Sequence, residues 1–332
     1  RLGSYNKLRQ NRLYQSQIAS SQRLSQFGEQ LRKSSEFTTP IQDKSNFELP
    51  NLSISKKSSE IFDKQSLEFH FSSIINKREF QEDGFVDFEL NNLFVCAIFD
   101  GHGGDGKITL FATKFYKQLL TESINENPED ELPFWLEQSL EKLNTAVKER
   151  FPEQGMVCSV FVQSQNGITV ATVGDTLVQF GYTKGFKRTS VKKLEKSVNT
   201  TEINGVLRLK GILNTAHVLG DRDLEHFTSH KPTIEEFEQK GLKYVAMMTD
   251  GVHNCFSGEE LDKNIRHLQK KYNRKDLEKI QVNVFERYGQ RRMEFENVKP
   301  KHSVEKQVAQ KITQMCYFQN IEDNATIGIM FV

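Results

Sequence analysis

The sequence predicts an α+β protein, on three observations. Apolar runs of strand length follow one another through short turns, as in hairpins and meanders. Longer segments with an apolar period of 3.6 residues stand apart from those runs. At 332 residues and 36% hydrophobic content, the chain can bury a sizeable core.

Residues 1–62 lie outside that pattern. They are rich in Ser, Gln, Asn, Lys and Arg and lack a sustained apolar period, so they form a poor core. From Arg1 to Gly28 there are several basic residues and no acid. That composition suits an organelle transit peptide or a basic arm lying on a neighbouring protein, and the arm is the expectation here. Because the chain opens on Arg1 rather than Met, its start is read as processed or trimmed.

The expected domain runs from residue 66 to 332. Leu67–Phe71 and Gly84–Leu90 alternate apolar and polar residues as half-buried strands do, and Asn91-Asn92 supplies a hairpin turn. Leu93–Phe99 is apolar throughout, the pattern of a strand buried on both faces. A helix is expected over about Lys107–Leu120. A second starts near Pro133, with Leu136, Leu140, Leu143 and Val147 on one face and Trp135 as packing. Met156–Val162 and Ile168–Val173 are strands around a Gln-Asn-Gly turn, and Val178–Tyr182 completes a meander. Lys184–Lys196 reads as a basic loop. Leu242–Met248 is another buried strand, Leu261 to about Arg292 reads as charged helices, and Ser303 caps a helix on Val304, Val308, Ile312 and Met315. Thr326–Val332 is the last strand.

Composition excludes several classes of function. No apolar run approaches the ~18 residues that span a bilayer, so no membrane span is expected. The net charge of +1 gives no general attraction to nucleic acid. The basic region Lys263–Lys311 also holds many acids and has no aromatic stacking platform. Cys96, Cys158, Cys255 and Cys316 lack the spacing of a zinc site or disulfide framework. Buried thiols in a reducing compartment are expected. The cytoplasm, with a cytoskeletal or ciliary place in it, is the favoured location, and the mitochondrion is the alternative.

The chemistry lies in acids at strand ends. Asp100 ends the central apolar run and enters Gly101-His102-Gly103-Gly104, where glycine lets backbone approach a guest closely and leaves the Gly101 carbonyl uncrowded. A lone Asp there also reads as a cap for the following helix. Glu82 and Asp83, Asp250, and Asp323 repeat the pattern. Such acids repel one another if they converge, and a hard divalent cation removes that penalty. A pair of Mg²⁺ or Mn²⁺ ions lowers the pKa of a bound water, which suits hydrolysis of a phosphate ester. Arg78 is the candidate to grip phosphate oxygens in bidentate fashion.

Arg78-x-x-x-Glu82-Asp83, Asp100-Gly-His-Gly-Gly104, Gly174-Asp175-Thr176, Leu219-Gly-Asp221, Thr249-Asp250-Gly251 and Asp323-Asn324-Ala-Thr326 resemble, in order and approximate spacing, the motifs of the type 2C metal-dependent protein phosphatases, the PPM family. The resemblance covers about residues 66–332. It implies a four-layer α-β-β-α sandwich, two antiparallel sheets flanked by helices, with two Mn²⁺ or Mg²⁺ ions at one end. It implies that Asp100 bridges the ions, that the Gly101 carbonyl and Glu82 join one and Asp250 and Asp323 the other, and that Asp83 holds water. Arg78 is implied to bind the phosphoryl group of phosphoserine or phosphothreonine in a phosphoprotein substrate, and His102 to protonate the leaving alkoxide. Asp175 is the tentative ligand of a third metal.

The chain departs from the family pattern around this set. Asn254 stands where a second Asp is usual, Leu177 and His217 where Arg is usual, and Gly155-Met-Val where Gly-Ser-Thr is usual. Thr183–Val206 is shortened. Two functions are therefore expected: a metal-dependent serine/threonine phosphatase, or a phosphatase-like docking subunit held in an assembly by residues 1–62.

Overall fold

Strands come first in the fold because the same alternation that marks them also sets the layers. The computed structural model describes residues 68–273 and 303–332, apart from 193, 204 and 320. The expected arm 1–62, Leu67 and the helical expectation over 274–292 lie outside the described residues. Strands β1 (His70–Ile74), β2 (Asp83–Leu90) and β3 (Leu93–His102) precede helices α1 (Lys107–Glu126) and α2 (Leu132–Arg150). Strands β4 (Gly155–Gln163), β5 (Ile168–Val173), β6 (Leu177–Tyr182) and β7 (Phe186–Arg188) follow. Next come a hairpin of β8 (Thr200–Ile203) and β9 (Val206–Leu209), the short β10 (Leu219–Gly220), and β11 (Thr233–Phe237). Strand β12 (Leu242–Met248), helices α3 (Asp250–His253), α4 (Gly258–Asn273) and α5 (Val304–Phe318), and β13 (Ala325–Phe331) close the described chain.

Two sheets result. One runs β1-β13-β12-β6-β7 and the other β11-β5-β4-β3-β2 with β10 on β4. Every pair within them is antiparallel. In β3, Val95, Ala97 and Phe99 pack with α1 and α2, while Phe94, Cys96 and Ile98 face the other sheet. In β12, Tyr244, Ala246 and Met248 pack with α4 and α5, while Val245 and Met247 meet the β3 sheet. A period of two thus sends successive side chains into different cores. Three apolar cores between four layers are the outcome, which is the α+β sandwich expected.

Local signals hold at most boundaries. Asn91 and Asn92 both take left-handed φ, 50° and 63°, as a two-residue hairpin requires. Pro133 opens α2, and the Ser303 hydroxyl accepts the Lys306 N–H at 3.2 Å. The Trp135 indole donates to the Asn127 carbonyl at 2.7 Å while its ring packs on the core. Cys96, Cys158 and Cys316 are buried and Cys255 is partly exposed, all as free thiols.

Some boundaries differ. Helix α1 continues six residues past Leu120, to Glu126, because Ile124 still packs on the core. The expected loop Lys184–Lys196 contains β7, whose Phe186–Arg188 pair with Gln179–Gly181 of β6. Asp83 is already in β2, directly opposite Asp100.

Candidate metal centre

Both sheets present carboxylates at one end. Asp83 and Asp100 face each other across β2 and β3. Asp250 follows β12 and Asp323 precedes β13, neighbouring strands of the other sheet. The close approach of α3 to the start of β13 needs Gly251, where a Cβ would lie 1.8 Å from the Asn324 carbonyl oxygen.

Hydrogen bonds tie the two sheets together at this end. Asp83 Oδ2 accepts from the hydroxyls of Thr326 at 2.6 Å and Thr249 at 3.1 Å. The Asn324 side-chain carbonyl accepts the Glu82 N–H at 2.8 Å. Glu82 is buried, and its Oε1 accepts the Gly104 N–H at 3.3 Å. Arg78 donates from Nη1 to Glu82 Oε2 at 3.1 Å and from Nη2 to Asp323 Oδ2 at 2.7 Å. The Gly101 N–H donates to the Glu82 carbonyl at 3.0 Å, so the glycine loop is pinned to the strand that carries the acids.

Electrostatics record the crowding. Burial and then Asp83, Asp250, Asp175 and Asp323 push Asp100 well above the ordinary carboxylate range. Burial above all raises Asp250 to about 8, with Asp323, Asp175 and Asp83 adding to it and Arg78 opposing. Asp83 rises to about 7 through burial, against the stabilising hydroxyls of Thr326 and Thr249. Glu82 also rises by burial, opposed by the Gly104 N–H and Arg78. Burial is the first cause at each of these acids, and repulsion from neighbouring carboxylates adds to it.

As placed, no three His, Cys, Asp or Glu side chains among the described residues are arranged to enclose a metal ion. Instead Arg78 engages Glu82 and Asp323, and two threonines engage Asp83. The donor set nevertheless fits a hard divalent cation. It offers carboxylate and carbonyl oxygens, and Asp83 Oδ1 is buried with no partner.

The remaining candidates fall around this set. Asp175 Oδ2 accepts the Asn214 amide at 3.2 Å, and its backbone carbonyl meets His253 Nε2 at 2.8 Å. Burial raises its pKa and His253 opposes. Asn254 donates to Asp250 Oδ2 at 3.3 Å, so two amides sit on the acids where a third cation was the expectation. His102, at the end of β3, has Nε2 2.7 Å from Asp221 Oδ2. That partner was not assigned from sequence, although Leu219-Gly-Asp221 was singled out. Thr249, Thr326 and Asn324 were likewise visible only as members of motifs, since spacing does not say what a hydroxyl or amide touches.

A two-sheet sandwich with strand-end acids gathered at one end defines the fold of a type 2C protein phosphatase. Among solved structures, it is similar to a Caenorhabditis elegans sex determining protein, with a TM-score of 0.64, 18% identity, and coverage of 80% of this chain and 64% of that one. It is also similar to serine-threonine phosphatase 2C from Toxoplasma gondii, with a TM-score of 0.58, 13% identity, and coverage of 80% and 94%. In sequence it is 26% identical over 221 residues to protein phosphatase 1L of Bos taurus, covering 57% of this chain and 60% of that protein. It is 24% identical over 218 residues to probable protein phosphatase 2C 56 of Oryza sativa, covering 58% and 60%. No family model matches the chain. The matched region spans about three fifths of those relatives' own length. The likenesses in fold and in sequence are thus to type 2C protein phosphatases.

Proposed function

We propose that the chain is a metal-dependent protein serine/threonine phosphatase acting on phosphoserine and phosphothreonine in proteins. The observation that carries this reading is the gathering of Glu82, Asp83, Asp100, Asp250 and Asp323 with Arg78 as their ion-paired cation and Asp83 Oδ1 unpartnered. Asp100, Glu82, Asp250, Asp323 and the Gly101 carbonyl would hold two Mn²⁺ or Mg²⁺ ions. Bound there, such ions supply charge neutralisation and a water of lowered pKa. Asp83 Oδ1 is the acceptor left to orient the attacking water. Arg78 exchanges its carboxylate partners for two phosphoryl oxygens, a geometry that its planar fork suits. His102 gives a proton to the departing serine or threonine oxygen as the P–O bond breaks.

A second reading is a phosphatase-like docking subunit, favoured by the Asn254 and Asn214 amides on Asp250 and Asp175. In either case residues 1–62 are the proposed protein-binding arm, because their composition cannot bury a core of its own. Free thiols support a reducing compartment, with the cytoplasm as the proposed location.

The test is phosphate release from a phosphothreonine peptide with Mn²⁺, with Mg²⁺ and with chelator, beside Asp100→Asn. Metal-dependent turnover that falls by ~100-fold or more in the variant is expected, as for loss of a group that stabilises transition-state charge. No turnover, together with no metal binding by calorimetry, would select the docking reading.

A further inference from the structure

His102 and Asp221 meet across a strand that separates them. In the β3-β4-β10 order, His102 pairs with Gly155 of β4, and Gly155 in turn pairs with Gly220 of β10. His102 and Asp221 therefore stem from strands on either side of β4, nearly two strand spacings or ~10 Å apart. Their side chains reach over Gly155, and the Nε2 to Oδ2 distance is 2.7 Å. A Cβ at position 155 would lie 2.1 Å from Asp221 Oδ2 and 2.5 Å from His102 Nε2. The missing side chain is what lets the pair form.

Asp221 is held firmly for this contact. It is buried, with φ of 44°, and its N–H donates to the Gln154 carbonyl at 2.9 Å. Its own carbonyl accepts the Leu224 N–H at 2.8 Å. The preceding Gly220 N–H donates to the buried Asn144 side-chain oxygen on α2 at 3.1 Å. The strained left-handed backbone of a non-glycine residue is thus fixed from both sides. Among the described residues the side-chain partner of Asp221 is His102, and no hydrogen bond or ion pair joins it to the carboxylates around Arg78.

We propose that Asp221 is the positioning residue for His102. Resting on the phosphatase reading, the inference is that the Asp221 carboxylate takes the Nε2–H of the ring. That choice fixes the ring's orientation and leaves Nδ1 as the nitrogen that gives its proton to the leaving alkoxide. The ring that reacts is the imidazolium, with a proton on each nitrogen: as the P–O bond breaks its electron pair stays on the alkoxide oxygen, the Nδ1 proton joins that oxygen, and the ring is left as the neutral Nε2–H tautomer facing Asp221. Gly155, where the sequence departs from the family's usual Gly-Ser-Thr only after the glycine, is the spacer that this pair requires.

Three variants of the full chain test the idea: Asp221→Ala, Asp221→Asn and Gly155→Ala, each with Mg²⁺ on a phosphothreonine peptide and on p-nitrophenyl phosphate. The aryl leaving group departs without a proton, so it reports on everything except the acid. Asp221→Ala and Gly155→Ala are expected to lower kcat on the peptide by ~10-fold or more with KM unchanged, but by under ~3-fold on the aryl ester. Asp221→Asn, which keeps an acceptor, should recover part of the peptide rate. Equal losses on both substrates, or an undiminished peptide rate, would overturn the proposal. A histidine-selective ¹⁵N spectrum, with His102 identified through His102→Gln, provides a readout independent of turnover. The Nε2–H tautomer is expected in the parent chain and a mixture in Asp221→Ala. An unfixed tautomer in the parent overturns the pair. Were the parent to release no phosphate, the phosphatase reading falls and the spectrum alone decides the pairing.

Discussion

Asp83 and Asp100 stand directly opposite in an antiparallel pair, a placement that is destabilising for two negative charges. The chain accepts that cost at its cleft, and Asp250 shares it, raised to about 8 by burial and neighbouring acids. Unfolded, these groups return to an ordinary value near 3.8. Between that value and the raised native one, the folded state binds more protons than the unfolded state. Stability from these groups is therefore complete at low pH and is lost as pH rises through about 7 and 8. Chelated protein should unfold at lower urea at pH 9 than at pH 6. The difference is on the order of a few kcal/mol, since each unit of displacement is worth ~1.4 kcal/mol. Asp250→Asn should shrink it. A urea midpoint that does not fall over this range would mean that the acids are not forced together.

Strands β3 and β12 carry the fold because each is buried on both faces, and their side chains divide between two cores. Phe99 is fully buried and meets the Tyr116 ring edge-on with centroids 5.9 Å apart, whereas Phe85 on β2 is 42% exposed and stacks only on Phe71. Phe99→Ala should cost roughly 3–5 kcal/mol and Phe85→Ala less than ~2, read from urea midpoints. Comparable costs would contradict the assignment of β3 to the centre. The same contrast explains what was legible beforehand. Unbroken apolar runs such as Leu93–Phe99 and Leu242–Met248 announce buried strands, and Asn91-Asn92 announces its turn. Strands β7 and β8 are short, largely exposed and mostly polar, and β9 is only four residues long with Leu209 alone buried, so nothing in Phe186–Arg188 or Thr200–Leu209 separates a strand from a loop. The acids were legible through the glycines and turns that follow them. Asp221 as the partner of His102 was not, since it depends on a side chain absent at Gly155 in a strand between them.

The cleft lies where the two sheets meet, with Asp83 and Asp100 on one and Asp250 and Asp323 beside adjacent strands of the other. Arg78 and the hydroxyls of Thr249 and Thr326 join them here. A divalent cation drawing oxygens from both sheets would fasten the sandwich at this end and stabilise the folded state by mass action. At ~100 times its dissociation constant, one such ion contributes roughly 2.7 kcal/mol. For a domain of this size that is a rise in Tm on the order of 5–10 °C. Differential scanning calorimetry with Mn²⁺ or Mg²⁺ against chelator should show that rise at pH 8, where unbound carboxylates repel most, and less of it at pH 6. Asp100→Asn should abolish most of the response while melting at or above the parent chain's chelated value, since the substitution also removes a buried charge. A melting point indifferent to both metal and the variant would leave the acids without a cation to hold, and would turn attention from the cleft to the surface of the sandwich as the seat of function.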